Sequence, residues 1–286
     1  MANAGTARRD LPHAYFVVSA LFHYLGPAFA VLLFARLDVS GVAWLRIATA
    51  ATTLALWRRP WSLVRDAGTR LRLLLVTFGV VLAAMNLCFY FAISALPLGT
   101  VGAIEFLGPI ILALLGLRTL RNVVGLVACT AGVYALTHVT VSGSATAYAF
   151  AFANCGLFML YVVLGHWIAR SGAEKGIDTL GAAMCVALVA ITPIGLCGAV
   201  SAFANPTVLF AGVVVGLTSS VIPYVCDQLA MTRLPRSSFA LLLSLLPLTA
   251  TIVGIVILHQ IPSHRDVAGV ILVMTGVALH RVGDSV

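Results

Sequence analysis

Ten long apolar stretches divide this chain, and nearly all of its charged residues lie in the short segments between them. Of its 286 residues, 61% are hydrophobic and only 9% are charged, and the mean hydropathy is +1.08. A water-soluble domain of this size has too little interior to bury so much apolar surface. The sequence therefore predicts a protein that folds within a lipid bilayer.

Most of the apolar stretches approach the roughly 20 residues with which a helix crosses the hydrocarbon of a bilayer. A lipid-facing β-barrel would instead need short segments in which polar and apolar residues alternate, and residues 182–200 show no alternation. The sequence thus predicts an all-α membrane protein with ten transmembrane helices. The predicted spans 1 to 10 are, in chain order, residues 13–34, 40–57, 72–95, 100–117, 121–138, 145–169, 179–200, 207–230, 236–258 and 266–281.

The basic residues indicate which side of the membrane each connecting segment occupies. With the N-terminus inside, 14 of the 17 Lys and Arg residues fall on the cytoplasmic side, Arg36 and Arg265 lie outside, and Arg46 lies within span 2. Basic residues near span ends are retained in the cytoplasm, so this asymmetry predicts ten spans with both termini cytoplasmic. The net charge of +8 then reflects topology, and we expect no binding of nucleic acid.

The two halves of the chain share an ordered set of residues. Leu96-Pro97 and Pro109 recur 138 residues later as Leu234-Pro235 and Pro247, and Cys88 recurs as Cys226. The segment that begins at Arg121, with Gly125 and Gly132, recurs 144 residues later at Arg265, with Gly269 and Gly276. We interpret residues 1–140 and 141–286 as two repeats of five spans each. Because five is odd, the second repeat enters the membrane from the opposite side and is inverted.

Inverted repeats are typical of transporters, in which the two halves exchange conformations and open a central site to alternate sides of the membrane. Duplication could also have built nothing more than a stable bundle. Pro109 and Pro247 lie at matching places in spans 4 and 9, where a missing backbone hydrogen bond would bend the helix. We predict bends at both prolines, close to the path of the substrate, although prolines in spans also serve packing alone.

Two segments resemble a known family of transporters. Residues 96–99 (Leu-Pro-Leu-Gly) and 105–109 (Glu-Phe-Leu-Gly-Pro) resemble the fourth-span region of bacterial threonine/homoserine exporters, which carry two EamA-type repeats and belong to the drug/metabolite transporter superfamily. Residues 219–224 and 229–235 resemble the eighth span of that family and the loop after it. The resemblance implies a ten-helix carrier of the bacterial inner membrane that exports small amino acids or related metabolites, driven by the proton gradient. Leu246 and His259-Gln260 depart from the family, which places an acidic residue and a Gly-Glu pair there.

Charged residues inside the predicted spans are candidates for function, because an ionised side chain at mid-bilayer needs a partner or a wet cavity. Arg46 in span 2 and Glu105 in span 4 lie at similar predicted depths. They could form a structural ion pair, or together hold the carboxylate and ammonium groups of an amino acid. Asp227 in span 8 and His166 in span 6 lie near the inner ends of their spans and, with Glu105, are candidates for proton coupling. Alternatively, Asp227 and His166 reach only interfacial water.

Polar and aromatic residues at helical spacing predict the wall of a substrate cavity. Such residues also bond helices to one another, and a tyrosine near the membrane surface can belong to the interfacial aromatic belt. The candidates in spans 3, 6 and 8 are Asn86, Tyr90, Asn154, Tyr161, Ser220, Tyr224 and Gln228.

Several other functions are disfavoured by the motifs that the sequence lacks. There is no zinc-protease pattern, no nucleophile elbow and no phosphate-cradling loop, so neither an intramembrane enzyme nor a primary pump is expected. No metal or cofactor is expected, and no obligatory protein partner is evident. The remaining alternatives are an exporter of drugs or other toxic small molecules, which a wide aromatic cavity would favour, and a channel.

Overall fold

A computed structural model describes residues 4–105, 107–108, 119–139, 145–169, 173–231 and 246–279 of the chain, and every regular element in these ranges is helical. The prediction of an all-α protein is confirmed. The helices are α1 (Ala4–Leu33), α2 (Val39–Arg58), α3 (Trp61–Arg65), α4 (Thr69–Ile93), α5 (Leu98–Glu105), α6 (Leu120–Val139), α7 (Ala145–Ala169), α8 (Ala173–Phe203), α9 (Pro206–Gly216), α10 (Ile222–Met231), α11 (Leu246–Leu258) and α12 (His264–Leu279).

Five described helical segments are long and apolar enough to cross a membrane, and three further apolar segments are shorter. The five are Val39–Arg58, Thr69–Ile93, Ala145–Gly165, Lys175–Phe203 and Pro206–Ala230, and the shorter ones are Val17–Leu33, Leu120–Leu136 and Leu246–Leu258. Large apolar side chains such as Leu56, Val189 and Phe210 are more than two-thirds exposed on these helices. In water that surface would be unfavourable, whereas lipid solvates it. The protein is a multi-pass membrane protein.

The helices pack in pairs that join distant parts of the chain. Helix α2 packs along α8, α4 packs along α7 and α8, and α6 packs along α12. Helix α1 contacts α10 and α11, while α5 lies between α11 and α7. Near one end of the α2–α8 pair, Arg58 Nε donates to Asp178 Oδ1 at 2.7 Å. Elements from the first half of the chain therefore meet elements from the second half throughout the bundle.

Glycines allow α6 and α12 to cross with their backbones in contact. A Cβ atom placed on Gly132 would lie 2.6 Å from the carbonyl oxygen of Gly269, and one on Gly125 would lie 2.8 Å from that of Gly276. Between these two contacts, Cys129 Sγ donates to the carbonyl oxygen of Val273 at 3.2 Å. Membrane helices have no hydrophobic force to join them, so close approach at small residues supplies the packing.

The same two helices begin with similar caps. The backbone N–H of Asn122 donates to Thr119 Oγ1, and the backbone N–H of Asp266 donates to Ser263 Oγ, each at 3.3 Å. At α12 the Asp266 carboxylate also accepts from the backbone N–H of Ser263, which completes a capping box. These bonds satisfy N–H groups that the first turn of a helix leaves without partners.

Helices α9 and α10 form one continuous rod that contains a π-helical turn at Leu217–Val221. The widened turn shifts the hydrogen-bond ladder by one residue, so that backbone carbonyls there no longer have the usual α-helical partner. Ser219 and Ser220 lie in this turn and are both fully buried. The turn faces α1 and α2, and it forms part of the site described next.

Candidate functional site

Arg46 is buried in the centre of the bundle and is held by three residues. Its Nε donates to Ser220 Oγ at 2.7 Å, and its Nη2 donates to the carbonyl oxygen of Ser219 at 2.8 Å. The guanidinium carbon lies 5.1 Å from the centre of the Tyr90 ring, which is a cation–π distance. We call Arg46, Tyr90, Ser219 and Ser220 the arginine group.

Two features of the sequence bring Arg46 to the π-helical turn. The Ser219 carbonyl has no α-helical donor, because Pro223, four residues later, has no N–H, and Gly216, one turn before Ser219, lets α2 approach closely. A Cβ atom on Gly216 would lie 2.5 Å from Thr49 Cβ and 3.0 Å from the carbonyl oxygen of Arg46. A guanidinium has five N–H donors, and the described side chains and backbone accept from two of those on Arg46. The arginine group can therefore still bind an anion.

Glu105 is also buried, and its partners come from two other helices. Asn154 Nδ2 of α7 donates to Glu105 Oε1 at 3.1 Å, and the Tyr24 hydroxyl of α1 donates to Oε2 at 3.4 Å. Asn154 is fully buried, and its Oδ1 has no hydrogen-bond partner among the described residues. We call Glu105, Asn154 and Tyr24 the glutamate group. It offers a carboxylate and an adjacent amide oxygen, both of which are acceptors for a cation.

Tyr224 is near both groups. It interacts electrostatically with both Arg46 and Glu105, and its hydroxyl is hydrogen-bonded to Asn86 with the oxygen 3.4 Å from Asn86 Nδ2. The Tyr224 ring is 5.7 Å from that of Tyr161, which stacks in turn on Phe78 at 5.7 Å. The hydroxyl oxygens of Tyr90 and Tyr161 are buried, with no protein partner among the described residues. The site thus combines aromatic walls with polar groups that are available to a ligand.

Arg46 and Glu105 are close enough to interact electrostatically, but they do not form a direct ion pair. Each is hydrogen-bonded to other side chains, and the ion pairs among the described residues are Arg58–Asp178 and Arg65–Asp66. The hypothesis of a structural Arg46–Glu105 ion pair is therefore wrong. Its alternative, in which the two charges hold opposite ends of one ligand, is compatible with the geometry.

The predicted polar positions of span 8 do not all face the same neighbours. Ser220 contacts Arg46, and Tyr224 contacts Asn86 and Tyr161. Gln228 is buried against α8, where its Oε1 would lie 2.8 Å from a Cβ atom on Gly176. Asp227 contacts Ser19 of α1 through a hydrogen bond between Asp227 Oδ1 and Ser19 Oγ.

The structure tests some of the remaining sequence predictions and leaves others outside the described residues. Tyr90 is fully buried, so it does not belong to an interfacial belt. Pro247 is the second residue of α11, and the chain before Leu246 lies outside the described residues, as does Pro109; the two bends stay predictions. His166 belongs to α7, but its side chain also lies outside the described residues.

Sequence reasoning missed three residues of this region. Tyr24 and Ser19 sit in span 1 and bond the carboxylates of Glu105 and Asp227, and the Ser219 carbonyl accepts from Arg46. The signal for Tyr24 and Ser19 was their hydroxyl groups within an apolar span, where such groups need partners. The signal for the Ser219 carbonyl was Pro223, four residues later in an apolar span, because proline has no N–H to donate to that carbonyl.

Comparison with known proteins gives sequence matches of two kinds, to a family model and to individual proteins. Residues 145–281 match the model of the EamA-like transporter family. The chain is also 32% identical to the threonine/homoserine exporter RhtA of Escherichia coli K12 and 31% identical to that of Salmonella typhimurium SL1344. Each alignment has 242 residues and covers 82% of this chain and 79% of the relative. The chain belongs to the EamA-like transporter family.

The fold of this EamA-like chain also resembles a solved one. The crystal structure of another protein superposes with a TM-score of 0.60 and covers 93% of this chain and 96% of the other. The two sequences are 18% identical, so the likeness concerns the fold alone.

A separate pocket of the EamA-like chain lies away from the arginine and glutamate groups, where α5, α11 and α12 meet. Pro97, Thr100, Gln260 and Ile261 are among its lining residues. Gln260 Oε1 accepts from the backbone N–H of Leu98 at 3.1 Å and so caps the first turn of α5. This contact links the segment between α11 and α12 to the helix that carries Glu105.

Proposed function

We propose that the chain is a secondary active transporter of the bacterial inner membrane, which exports small amino acids by alternating access and is coupled to the proton gradient. One observation carries the proposal: a buried arginine and a buried glutamate lie near one another without pairing, among aromatic and amide groups that retain free hydrogen-bonding atoms. Unpaired charges are costly in a membrane unless a ligand or water supplies their interaction partners.

A zwitterionic amino acid fits the two groups. Arginine binds a carboxylate through parallel N–H donors, and the Tyr90 ring fixes the plane of the Arg46 guanidinium. An ammonium group is a donor of three hydrogen bonds, and the glutamate group offers acceptors at Glu105 and at Asn154 Oδ1. The ammonium group of the ligand would thus lie against the Glu105 carboxylate, and its carboxylate would lie against the Arg46 guanidinium.

The relatives support the class of substrate. The Escherichia coli and Salmonella proteins are named as exporters of threonine and homoserine, and both compounds are small amino acids with a hydroxyl group. We propose a substrate of this size and charge. The Asn86, Tyr161 and Tyr224 side chains complete the proposed cavity, with Gln228 at its border against α8.

Alternating access would arise from two inverted repeats of five spans, residues 1–140 and 141–286. Several features support this arrangement. They involve pairs of residues that are 138 or 144 positions apart and that therefore correspond to one another in the two repeats. Asn86 is hydrogen-bonded to its counterpart Tyr224, and Cys129 to its counterpart Val273. Thr119 and Ser263, which are 144 residues apart, cap the helices α6 and α12.

The glycines of α6 and α12 support the same arrangement through reciprocal contacts. Gly125 corresponds to Gly269 and Gly132 to Gly276, yet Gly125 touches Gly276 and Gly132 touches Gly269. Such an exchange, in which residue i contacts j and j contacts i, is expected of two units related by a twofold axis. The axis would pass near the Cys129–Val273 contact.

Inverted repeats require an odd number of spans before the second repeat, so a topology assay tests them. A green fluorescent protein fused after residue 140 is expected to be dark, and alkaline phosphatase fused there to be active, because that segment would lie outside the cytoplasm. Fusions at the C-terminus should behave in the opposite way, since the basic residues predict a cytoplasmic end. Cytoplasmic behaviour at both sites would exclude the proposed inversion.

Glu105 provides the test of substrate binding. Purified protein in proteoliposomes should exchange labelled threonine or homoserine, and Glu105→Gln should lower this exchange by at least about 30-fold, which corresponds to ~2 kcal/mol for a lost charged hydrogen bond. Glu105→Asp keeps the charge and should retain part of the activity. Asp66→Asn, at an exposed residue, is the matched control. Full exchange by Glu105→Gln would remove Glu105 from the binding site.

The aromatic walls favour one alternative, the export of an aromatic cation or other toxic compound. Stacked rings at Phe78, Phe158 and Tyr161 beside a carboxylate could hold such a cation. The buried Arg46 opposes it, because like charges repel. Movement of a cationic dye without movement of any amino acid in the same proteoliposomes would favour the alternative.

A further inference from the structure

Proton coupling in the proposed function has three candidates, Glu105, Asp227 and His166, and the structure separates the two carboxylates by their partners. Glu105 receives hydrogen bonds from the Asn154 amide nitrogen and from the Tyr24 hydroxyl. An amide nitrogen only donates, so Asn154 bonds an oxygen of Glu105 that carries no hydrogen. Asp227 instead contacts a serine hydroxyl, which can either donate or accept.

The Ser19 hydroxyl has two acceptors within reach but only one hydrogen. Its oxygen lies 3.3 Å from the carbonyl oxygen of Pro223, one turn before Asp227, and it is also hydrogen-bonded to Asp227 Oδ1. Ser19 is 3% exposed, so water does not compete freely for it. When Asp227 is ionised, Ser19 can donate to the carboxylate. When Asp227 is protonated, its O–H can donate to Ser19 Oγ, which then donates to the Pro223 carbonyl.

We propose that Asp227 and Ser19 form the proton site of the transporter, and that Glu105 serves the substrate alone. One proton from the aqueous phase of higher proton concentration binds Asp227 and neutralises it, and the Ser19 hydroxyl reverses its direction. The proton leaves from the same oxygen after the conformational change. No other group needs to change its charge, so each cycle moves one proton.

The position of the pair explains how protonation would reach the rest of the bundle. Ser19 is on α1 and Asp227 is on α10, and these helices pack directly against each other. Helix α1 also carries Tyr24, the partner of Glu105, so one helix contacts both carboxylates. A change in the α1–α10 contact is therefore transmitted to the glutamate group through a single rigid element.

Several described groups interact electrostatically with Asp227. They include Tyr161 of α7, and Tyr224 and Cys226 of its own helix. Arg and Lys side chains in the described part of the chain form no ion pair with it. No described Lys or Arg side chain of α1 or α8 therefore holds Asp227 in its ionised form. This suits a carboxyl group that must alternate between its protonated and ionised forms.

The proposal rests on the proposed transport function, and the experiment separates the two. In proteoliposomes with a gradient of about one pH unit, a carrier that exchanges one proton for one substrate accumulates labelled threonine at most about tenfold. We expect Asp227→Asn to abolish this accumulation, because the variant no longer couples proton binding to substrate movement. Without a pH gradient, its threonine exchange should stay within about twofold of that of the unaltered protein. Glu105→Gln should instead lose both activities.

Ser19 provides the second pair of variants. Ser19→Ala should reduce the accumulation and alter the pH dependence of exchange, whereas Ser19→Thr keeps the hydroxyl and should behave as the unaltered protein does. A merely structural role of Ser19 would change stability without changing the pH dependence. Thermal unfolding in detergent, measured for all variants, detects that case.

A measurement without substrate keeps the two proposals distinct. Lowering the pH should produce an infrared carbonyl band for each carboxyl group that becomes protonated. The component of this band that is due to Asp227 should be lost in Asp227→Asn and kept in Glu105→Gln. If the band is present but threonine does not move, the proposed substrate is wrong and the proton site stands. If Asp227→Asn still accumulates threonine, or if the band is unchanged in this variant, the proton site is wrong.

Discussion

Replacement of Arg46 by glutamine is expected to abolish amino acid exchange while the protein still inserts into the membrane. The side chain is 4% exposed and gives two charged hydrogen bonds to the π-helical turn, and its remaining donors would bind the substrate carboxylate. Loss of a charged hydrogen bond in a buried site costs ~2 kcal/mol or more, so exchange should fall by at least about 30-fold. Threonine exchange in proteoliposomes measures this.

Lysine at position 46 distinguishes charge from geometry. Arg46→Lys keeps the positive charge but loses the planar fork that binds a carboxylate through two bonds, so we expect an intermediate exchange rate. Arg36→Gln changes an exposed arginine just before α2 and should leave exchange unaltered. If Arg46→Gln exchanges threonine normally, then Arg46 does not bind the substrate.

A leucine at Gly132 is expected to give the largest loss of stability. Even a Cβ atom at this position would lie 2.6 Å from the Gly269 carbonyl oxygen and 2.8 Å from Val273 Cγ2, so the helices α6 and α12 would have to separate. Overpacking of a close contact typically costs ~1–3 kcal/mol, and a backbone contact cannot relax by rotating a side chain, so we expect about 3 kcal/mol.

Gly156 is the matched control for this substitution. It lies on an exposed face of α7, and a Cβ atom placed on it would have no neighbour within 4 Å, so Gly156→Leu should unfold at nearly the same temperature as the unaltered protein. Thermal unfolding in detergent compares the two variants. Equal stability of Gly132→Leu and Gly156→Leu would show that the α6–α12 crossing does not depend on close backbone contact.

The positions of the helices were predictable because the length and position of each run of apolar residues can be read directly from the sequence. Helix α2 spans Val39–Arg58 against the predicted 40–57, and α6 spans Leu120–Val139 against the predicted 121–138. Helix α8 is longer than predicted, since it begins at Ala173 instead of residue 179. Its first turns contain Lys175 and Asp178, and a hydropathy pattern excludes charged turns even when they are helical.

The buried polar residues were predictable as candidates but their partners were not. Arg46, Glu105 and Asn154 stand out because charged and amide groups are rare within apolar spans. Which of them meet depends on the crossing of helices that are far apart in sequence, and the close approach at Gly216 illustrates this dependence. The Arg46–Glu105 ion pair was a reasonable hypothesis from depth alone, and it failed because each side chain found a nearer neutral partner.

The amide cap at the start of α5 has a mechanical consequence. Gln260 binds the first turn of α5, and Glu105 lies about two turns further along the same helix. A displacement of the segment between α11 and α12 would therefore tilt α5 and move the Glu105 carboxylate with it. An antibody fragment or a covalent label directed to that surface segment would act on the interior of the protein without entering it.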